Sequence, residues 1–339
     1  MIRSPRVAVN GFGRIGRLAT RALLEQDAPV DLVAINDLST PQMLAHLLRN
    51  DSVHGRYAGT IEVAGDNLVL DGDEVRVLSI KDPKDLPWKD LDVDIVLECT
   101  GKFASRKDLE PHLAAGARRV ILSAPGKDVD VTLVRGVNQD AYRPANHRLV
   151  SNASCTTNCL APVLKVLDDA FGVEHGFMTT VHAYTNDQRL LDSQHKDPRR
   201  ARGAPLSMIP TTTGAARAIA EVLPKLAGKV DGMAIRVPTP NVSIVDLVAR
   251  LGRKVAAGDV VAAFEKAAST EMRGILRCER DPLVSVDFNH DPHSAIIDAP
   301  SVMVLDGSLV KVLAWYDNEW AYAVRTAELV HTVARAEPE

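Results

Sequence analysis

Arg6-Val7-Ala8-Val9-Asn10-Gly11-Phe12-Gly13-Arg14-Ile15-Gly16-Arg17 is an apolar run broken by three glycines and resumed at helical spacing. Residues 6–10 read as a short buried strand, and Ile15, Leu18, Ala22 and Leu23 then share one face of a helix. In such a strand–turn–helix, Gly11 permits the tight turn, Gly13 lets backbone approach a pyrophosphate, and Gly16 lets the helix pack closely on the strand. Free N–H groups at the helix start, around Arg14 and Ile15, face the phosphates. A glycine pattern alone also describes an ordinary turn, so the flanking context carries the argument.

The context is present. Val30–Asn36 is a second apolar strand, and Asp37 stands at its carboxyl end, where a carboxylate either accepts hydrogen bonds from an adenosine ribose or closes a turn. A carboxylate there repels a 2′-phosphate, so NAD is favoured, with NADP a minor alternative. Gly65-Asp66 and Asp71-Gly72 separate short alternating strands, which predicts antiparallel ribbons beside the parallel sheet. Asp94–Glu98 is a further buried strand, Ser105 caps a helix carrying Leu109 and Leu113, and Arg119–Leu122 returns as a strand. Repeated β-α-β order gives a doubly wound parallel sheet of the Rossmann kind, with its ligand crevice at the carboxyl ends of the strands. Thr100, Gly101 and Ser123 fall at such ends, where they are ligand contacts or ordinary loop residues.

The chain has 339 residues, 46% of them hydrophobic, enough for two domains. A net charge of -4 leaves no global field for nucleic acid or an anionic membrane, so neither is expected as a primary partner. Met1-Ile2-Arg3-Ser4-Pro5 runs into the first strand with no apolar leader, and a cytoplasmic location is expected. Cys99, Cys155, Cys159 and Cys278 are too scattered for a disulfide framework or a zinc site. No metal is expected.

Leu149-Val150 closes the last strand of the first half, and Cys159–Phe171 has the spacing of a buried helix. Cys155 therefore sits at a helix N-terminus, where the dipole and unpaired N–H groups lower a thiol pKa and can hold an oxyanion. Cys159, one turn deeper, reads as a packed small hydrophobe.

Ala153-Ser154-Cys155-Thr156-Thr157-Asn158 resembles the active-site signature of glyceraldehyde-3-phosphate dehydrogenases. The similarity covers nearly the whole chain, through Asp51-Ser52-Val53-His54-Gly55, Arg236-Val237-Pro238-Thr239-Pro240-Asn241-Val242-Ser243 and Trp315-Tyr316-Asp317-Asn318-Glu319-Trp320. It implies a bacterial or chloroplast-like phosphorylating enzyme of glycolysis or gluconeogenesis. Glyceraldehyde 3-phosphate, inorganic phosphate and NAD would become 1,3-bisphosphoglycerate and NADH through a cysteine thioester. Cys155 would be the nucleophile and His182 its base, although a histidine at a strand end is also a common structural hydrogen-bonder.

By the same resemblance Thr185 and Arg236 would hold the substrate phosphate, and Ser154, Thr156, Arg200, Thr213 and Gly214 the attacking one. Thr213 also reads as a plain N-cap, and Arg200 as part of a solvated or subunit-contact face. Lys81 joins the cofactor residues, and Asn318 would orient the nicotinamide carboxamide or cap the last helix. Ser193-Gln194 stands where many strictly NAD-dependent relatives have Leu-Pro, which weakens the exclusion of NADP.

The expected organisation is an NAD(P)-binding domain over residues 1–153, a catalytic domain over 154–317, and a helix over 318–339 packing back on the first. Strands at Met233–Val237, Ser243–Leu251, Val284–Phe288, Val302–Leu305 and Val310–Tyr316 would form a mostly antiparallel sheet, an α+β fold, with the 183–208 segment a long ordered loop. A homotetramer is implied by the resemblance. The competing readings are an erythrose-4-phosphate dehydrogenase and a noncatalytic NAD-binding protein.

Overall fold

The computed structural model describes residues 3–26 and 30–336. Residues 1–2 and 337–339, at the ends of the expected spans, lie outside it. The chain divides into two compact units, one of residues 1–133, 140–153 and 323–339 and one of 134–139 and 154–322.

The first unit runs β1 (Arg6–Asn10), α1 (Arg14–Glu25), β2 (Asp31–Asn36), α2 (Pro41–Arg49) and a small ribbon, β3 (Asn50–Asp51) with β4 (Gly55–Arg56). It continues through β5 (Ile61–Ala64), β6 (Asn67–Leu70), β7 (Asp73–Leu78), β8 (Ile95–Glu98), α3 (Arg106–Ala114), β9 (Arg119–Leu122), β10 (Val131–Thr132) and β11 (Leu149–Ser151). The sheet order is β10-β11-β9-β8-β1-β2-β7-β6-β5. It is parallel from β10 to β7, and β5–β6–β7 form the antiparallel meander that Gly65 and Gly72 punctuate. Strands β1, β8 and β9 are buried almost throughout, as helices on both faces of a parallel sheet require. Ser105 caps α3 reciprocally with Asp108, whose carboxylate accepts from the Ser105 N–H and hydroxyl. Because β1 lies between β2 and β8, the chain leaves it in opposite directions, and a crevice opens at the carboxyl ends there.

The second unit comprises α4 (Cys155–Phe171), β12 (Val173–Ala183), β13 (Ile209–Thr211), α5 (Ala215–Val222), β14 (Val230–Val237), β15 (Ser243–Leu251) and α6 (Ala257–Ser269). After these come β16 (Leu276–Glu279), β17 (Ala295–Asp298), β18 (Met303–Leu305), β19 (Leu309–Tyr316) and α7 (Trp320–Arg335), whose residues from Ala323 belong to the first unit. The sheet order is β13-β14-β12-β15-β19-β17-β16, with β18 also on β19. Only β12–β14 and β16–β17 pair in parallel. Alternation places Met178, Thr180 and His182 on the buried face, against which α4 packs, and Phe177, Thr179 and Val181 on the other.

Two expectations need correction. Helix α4 begins at Cys155 itself, four residues before the apolar spacing becomes evident. Val284–Phe288 is not a strand: Ser285–Phe288 is a single 3-10 turn, closed by the Asp287 carboxylate accepting from the Val284 N–H at 2.9 Å. Only Phe288 is buried there, while Val284 and Val286 face solvent.

Candidate active site and dinucleotide pocket

A cavity of about 680 Å³ lies in the first unit at the carboxyl ends of its strands. Gly11, Gly13, Asp37, Lys81 and Thr100 line it. Gly11, at φ 90°, passes so close to Thr100 that an added Cβ would stand 2.6 Å from the Thr100 Cα. A Cβ on Gly16 would meet the Gly11 carbonyl oxygen at 2.2 Å, whereas one on Gly13 would meet nothing. The three glycines therefore serve a turn, an open approach and a close packing contact, each with its own physical reason. Helix α1 has no side-chain cap and no acid in its first turn, so its N-terminal amides fit a diphosphate. Asp37 accepts from the Phe12 N–H at 2.8 Å and the Ser39 N–H at 3.0 Å, one bond per oxygen, and each oxygen retains acceptor capacity for a ribose hydroxyl. The residues present fit NAD.

Other candidates stand off this wall. Arg14 pairs with Asp51 at 2.6 Å. Ile15 and Gly16 lie inside α1, and Gly101 continues the turn after Thr100 at φ 68°. The Ser123 side chain bonds Cys99, whose thiol burial pushes up to about 12. Sequence reasoning missed Asn10, Asn36, Ile80 and Lys102 on the cavity wall. Two of these carried a signal: Asn10 and Asn36 are polar residues ending apolar strands.

In the second unit Ser154 caps α4, its hydroxyl oxygen accepting from the Thr157 N–H at 3.0 Å. That places Cys155 in the first turn, with its sulfur 3.5 Å from His182 Nε2. His182 Nδ1 is 2.7 Å from the Ala183 carbonyl oxygen, which can only accept, and 3.1 Å from Arg236 Nη1, which can only donate; the shorter contact favours the hydrogen on Nδ1, which leaves the Nε2 lone pair for the thiol. The register of β12 on β14 sets Arg236 directly beside His182. Arg236 Nη1 donates to the Ala183 oxygen at 3.0 Å and to Thr185 Oγ1 at 3.3 Å, while its buried Nε has no partner among the described residues. Tyr316 contacts the His182 ring edge-on at 6.0 Å, and its hydroxyl lies 3.0 Å from Thr156 Oγ1 and 2.9 Å from Thr180 Oγ1.

The electrostatics run against the expected low thiol pKa. Burial pushes the Cys155 thiol up, opposed by the Arg236 charge, the Thr156 hydroxyl and the N–H groups of Thr156 and Cys155. Burial, and then Arg236, hold His182 down at about 3. A neutral thiol facing a neutral imidazole is the arrangement that burial and the Arg236 charge on the imidazole favour.

Each guanidinium nitrogen of Arg200 has a protein partner. The side chain donates to Asp187, to Thr211 Oγ1 at 2.9 Å and to the Thr212 oxygen at 3.1 Å. Thr213 Oγ1 accepts from the Ala215 N–H at 3.2 Å, and Gly214 stands at the N-cap of α5, which packs on α4. Asn318 does not cap α7. Asp317 takes the Glu319 and Trp320 N–H groups, and Asn318 Oδ1 accepts instead from Ser243 Oγ at 2.7 Å, leaving its NH2 group for another acceptor.

A doubly wound unit with a glycine turn, and a second unit presenting a buried cysteine–histidine pair beside an arginine, are the parts of a nicotinamide-dependent dehydrogenase. Residues 5–106 match the family described as glyceraldehyde 3-phosphate dehydrogenase, NAD binding domain, and residues 154–318 match its C-terminal domain. The chain is 55% identical to the glyceraldehyde-3-phosphate dehydrogenase of Geobacillus stearothermophilus, over 97% of this chain and 98% of that one. It is 54% identical to glyceraldehyde-3-phosphate dehydrogenase 2 of Bacillus subtilis (strain 168), over 97% and 96%. The identity to the Streptomyces coelicolor enzyme is also 54%, over 96% and 97%. The chain belongs to the glyceraldehyde-3-phosphate dehydrogenase family.

Proposed function

We propose that this chain oxidises D-glyceraldehyde 3-phosphate with NAD and inorganic phosphate to 1,3-bisphosphoglycerate. We assign cofactor binding to residues 1–153 with the returning helix, and catalysis to 154–317. The observation that carries the reading is the Cys155–His182 contact at 3.5 Å, with Nδ1 anchored on the Ala183 carbonyl. As Cys155 Sγ adds to the aldehyde carbon, its proton passes to His182 Nε2 and on to the aldehyde oxygen, giving a hemithioacetal. The amide groups of the first turn of α4 stabilise that oxygen while it carries charge. When bound, NAD supplies the acceptor for the hydride that converts the hemithioacetal to a thioester, and His182 takes the hydroxyl proton. Phosphate then attacks the thioester carbon, and the Cys155 sulfur departs to recover its proton from His182.

Arg236 and Thr185 hold the substrate phosphate, supported by the unpartnered buried Nε of Arg236. Ser154, Thr156, Thr213, Gly214 and Arg200 surround the attacking phosphate, with Arg200 acting through its grip on Thr211 and Thr212. Gly11, Gly13, Arg14, Ile15, Gly16, Asp37, Lys81, Thr100, Gly101, Ser123 and Asn318 serve the cofactor. Among the described residues no helix is long and apolar enough to cross a membrane, and we place the enzyme in the cytoplasm as a homotetramer.

Initial rates with NAD and with NADP, each with and without phosphate, test the reading. Turnover that needs phosphate or arsenate and prefers NAD is expected. Phosphate-independent turnover points instead to thioester hydrolysis. His182→Asn should lower kcat by about 10²–10⁴-fold, the usual worth of a positioned base, and Cys155→Ser that retains parental acyl phosphate formation would overturn the mechanism.

A further inference from the structure

Beneath the dinucleotide cavity lies a polar network that the mechanism does not use. The parallel register sets Asn36, Asn10 and Glu98 side by side at the ends of β2, β1 and β8. All three are buried, Glu98 completely. Asn36 Nδ2 donates to Asn10 Oδ1 at 2.7 Å and to the Ile80 oxygen at 2.9 Å, and the Ile80 N–H returns a bond to Asn36 Oδ1 at 2.9 Å. Asn10 Nδ2 donates to Glu98 Oε2 at 2.6 Å. The other oxygen, Oε1, accepts from the Thr100 N–H at 2.7 Å and from the Thr100 hydroxyl.

The far side of the carboxylate is fixed by His112, also fully buried. Trp88 Nε1 donates to His112 Nδ1 at 3.0 Å, and an indole N–H can only donate. His112 Nδ1 is therefore the acceptor, and Nε2 carries the hydrogen that points at Glu98 Oε2, 3.2 Å away. Glu98 thus meets donors on every side, which is the condition for keeping a carboxylate inside a sheet.

We infer that Glu98 is a positioning residue for the dinucleotide site, clamping Thr100 beneath Gly11 and aligning the strand ends that floor the cavity. Thr100 is held by two bonds to Glu98, and Gly11 lies so close to the Thr100 backbone that a Cβ has no room. Any shift of Thr100 is therefore transmitted to the first glycine of the phosphate turn. Asn10, Asn36, Ile80 and Thr100, the residues tied through Glu98, all line the cavity, whereas Glu98 and His112 do not. The inference rests on reading that cavity as the NAD site.

Glu98→Gln tests it, because an amide nitrogen faces donors whichever way it turns: Asn10 and His112 on one side, Thr100 on the other. The full chain is titrated with NAD by calorimetry, and Cys155 alkylation by iodoacetamide is timed without NAD. The expected result is an NAD Kd weakened by about tenfold, because the unsatisfied donors are relieved when Thr100 leaves its place beneath Gly11, with alkylation at the parental rate. Unchanged NAD affinity overturns the inference, and so does a parallel loss of alkylation, which marks a purely structural role. Should that variant not fold, His112→Asn removes a donor remote from the cavity. Weaker NAD binding with parental alkylation then supports the inference, and parental NAD affinity overturns it. Failure of the unmodified chain to bind NAD would overturn the reading of the cavity itself.

Discussion

The proton between Cys155 and His182 answers to Arg236, whose charge acts on both groups in the same direction. A positive charge favours thiolate over thiol and imidazole over imidazolium, so it lowers the pKa of each. Removing it must raise both. In Arg236→Leu, the pH profile of iodoacetamide alkylation should therefore move to higher pH as a whole, on its acid and its alkaline limb. A profile that stays in place would show that the charge does not reach the sulfur. The same change removes the charged donors that the proposed reading gives to the substrate phosphate. It should cost kcat/KM for the phosphorylated aldehyde on the order of a hundredfold, about 3 kcal/mol, with a smaller effect on an unphosphorylated aldehyde. That contrast separates the two roles of one guanidinium.

Between β14 and β15 the chain holds a valine in a conformation that valine disfavours. Val242 has φ 65°, is buried, and packs against Phe288 and Ile296, next to the Ser243 that supports Asn318. A β-branched residue there is strained by about 1–3 kcal/mol. Val242→Ala loses packing and keeps a Cβ in the left-handed region, whereas Val242→Gly loses packing and relieves the strain. The glycine variant should therefore be the more stable of the two by about 1 kcal/mol, which urea midpoints will measure. The reverse order would mean that Val242 is not strained.

No local pattern announces that valine, and the same limit governs the other elements. Strands β1, β2, β8 and β9 were legible because burial on both faces writes itself as continuous apolar runs. The run Val284–Phe288 alternates as a strand would, but its alternation serves a turn that buries one phenylalanine. Strands β16 and β17 are four residues long, and β13 is three with Pro210 inside, too short for a period to show. At the site, Cys155 was legible from its place at a helix start. The direction of its pKa was not, because the burial that raises it, against the pull of the Arg236 charge, is built by elements far apart in sequence.

Acid should unfold the first unit through Asp51. Its side chain is 3% exposed. Burial alone would raise its pKa, but the N–H groups of His54 and Val53 and the Arg14 guanidinium outweigh that and hold it at about 2. A depressed carboxylate contributes stability that is complete above its unfolded pKa near 4 and is lost as pH falls through about 2. Asp51→Asn should therefore lower stability at neutral pH by about 2 kcal/mol and leave a shallower dependence between pH 4 and 2. An unchanged acid slope would remove Asp51 from the account.

Apolar side chains crowd the face of the second unit's sheet that is turned away from α4. Phe177, Met233, Met303 and Leu305 stand exposed on that sheet's strands, with Phe177 at 72%. The 184–208 loop adds Leu190, Leu191, Leu206 and Met208, each more than 70% exposed. So much apolar surface on one unit is characteristic of a subunit contact. Two charges at the middle of that face, Lys311 and Asp246, are paired with each other at 2.7 and 2.5 Å, while Asp231 and Arg250 on the same face stand exposed. We expect sedimentation equilibrium to give four chains per particle, and Phe177→Glu combined with Leu305→Glu to give a smaller one. The double variant should keep the parental rate of Cys155 alkylation, because neither residue faces α4. A monomer for the unmodified chain, or a double variant with the parental mass, would reject this face as the contact.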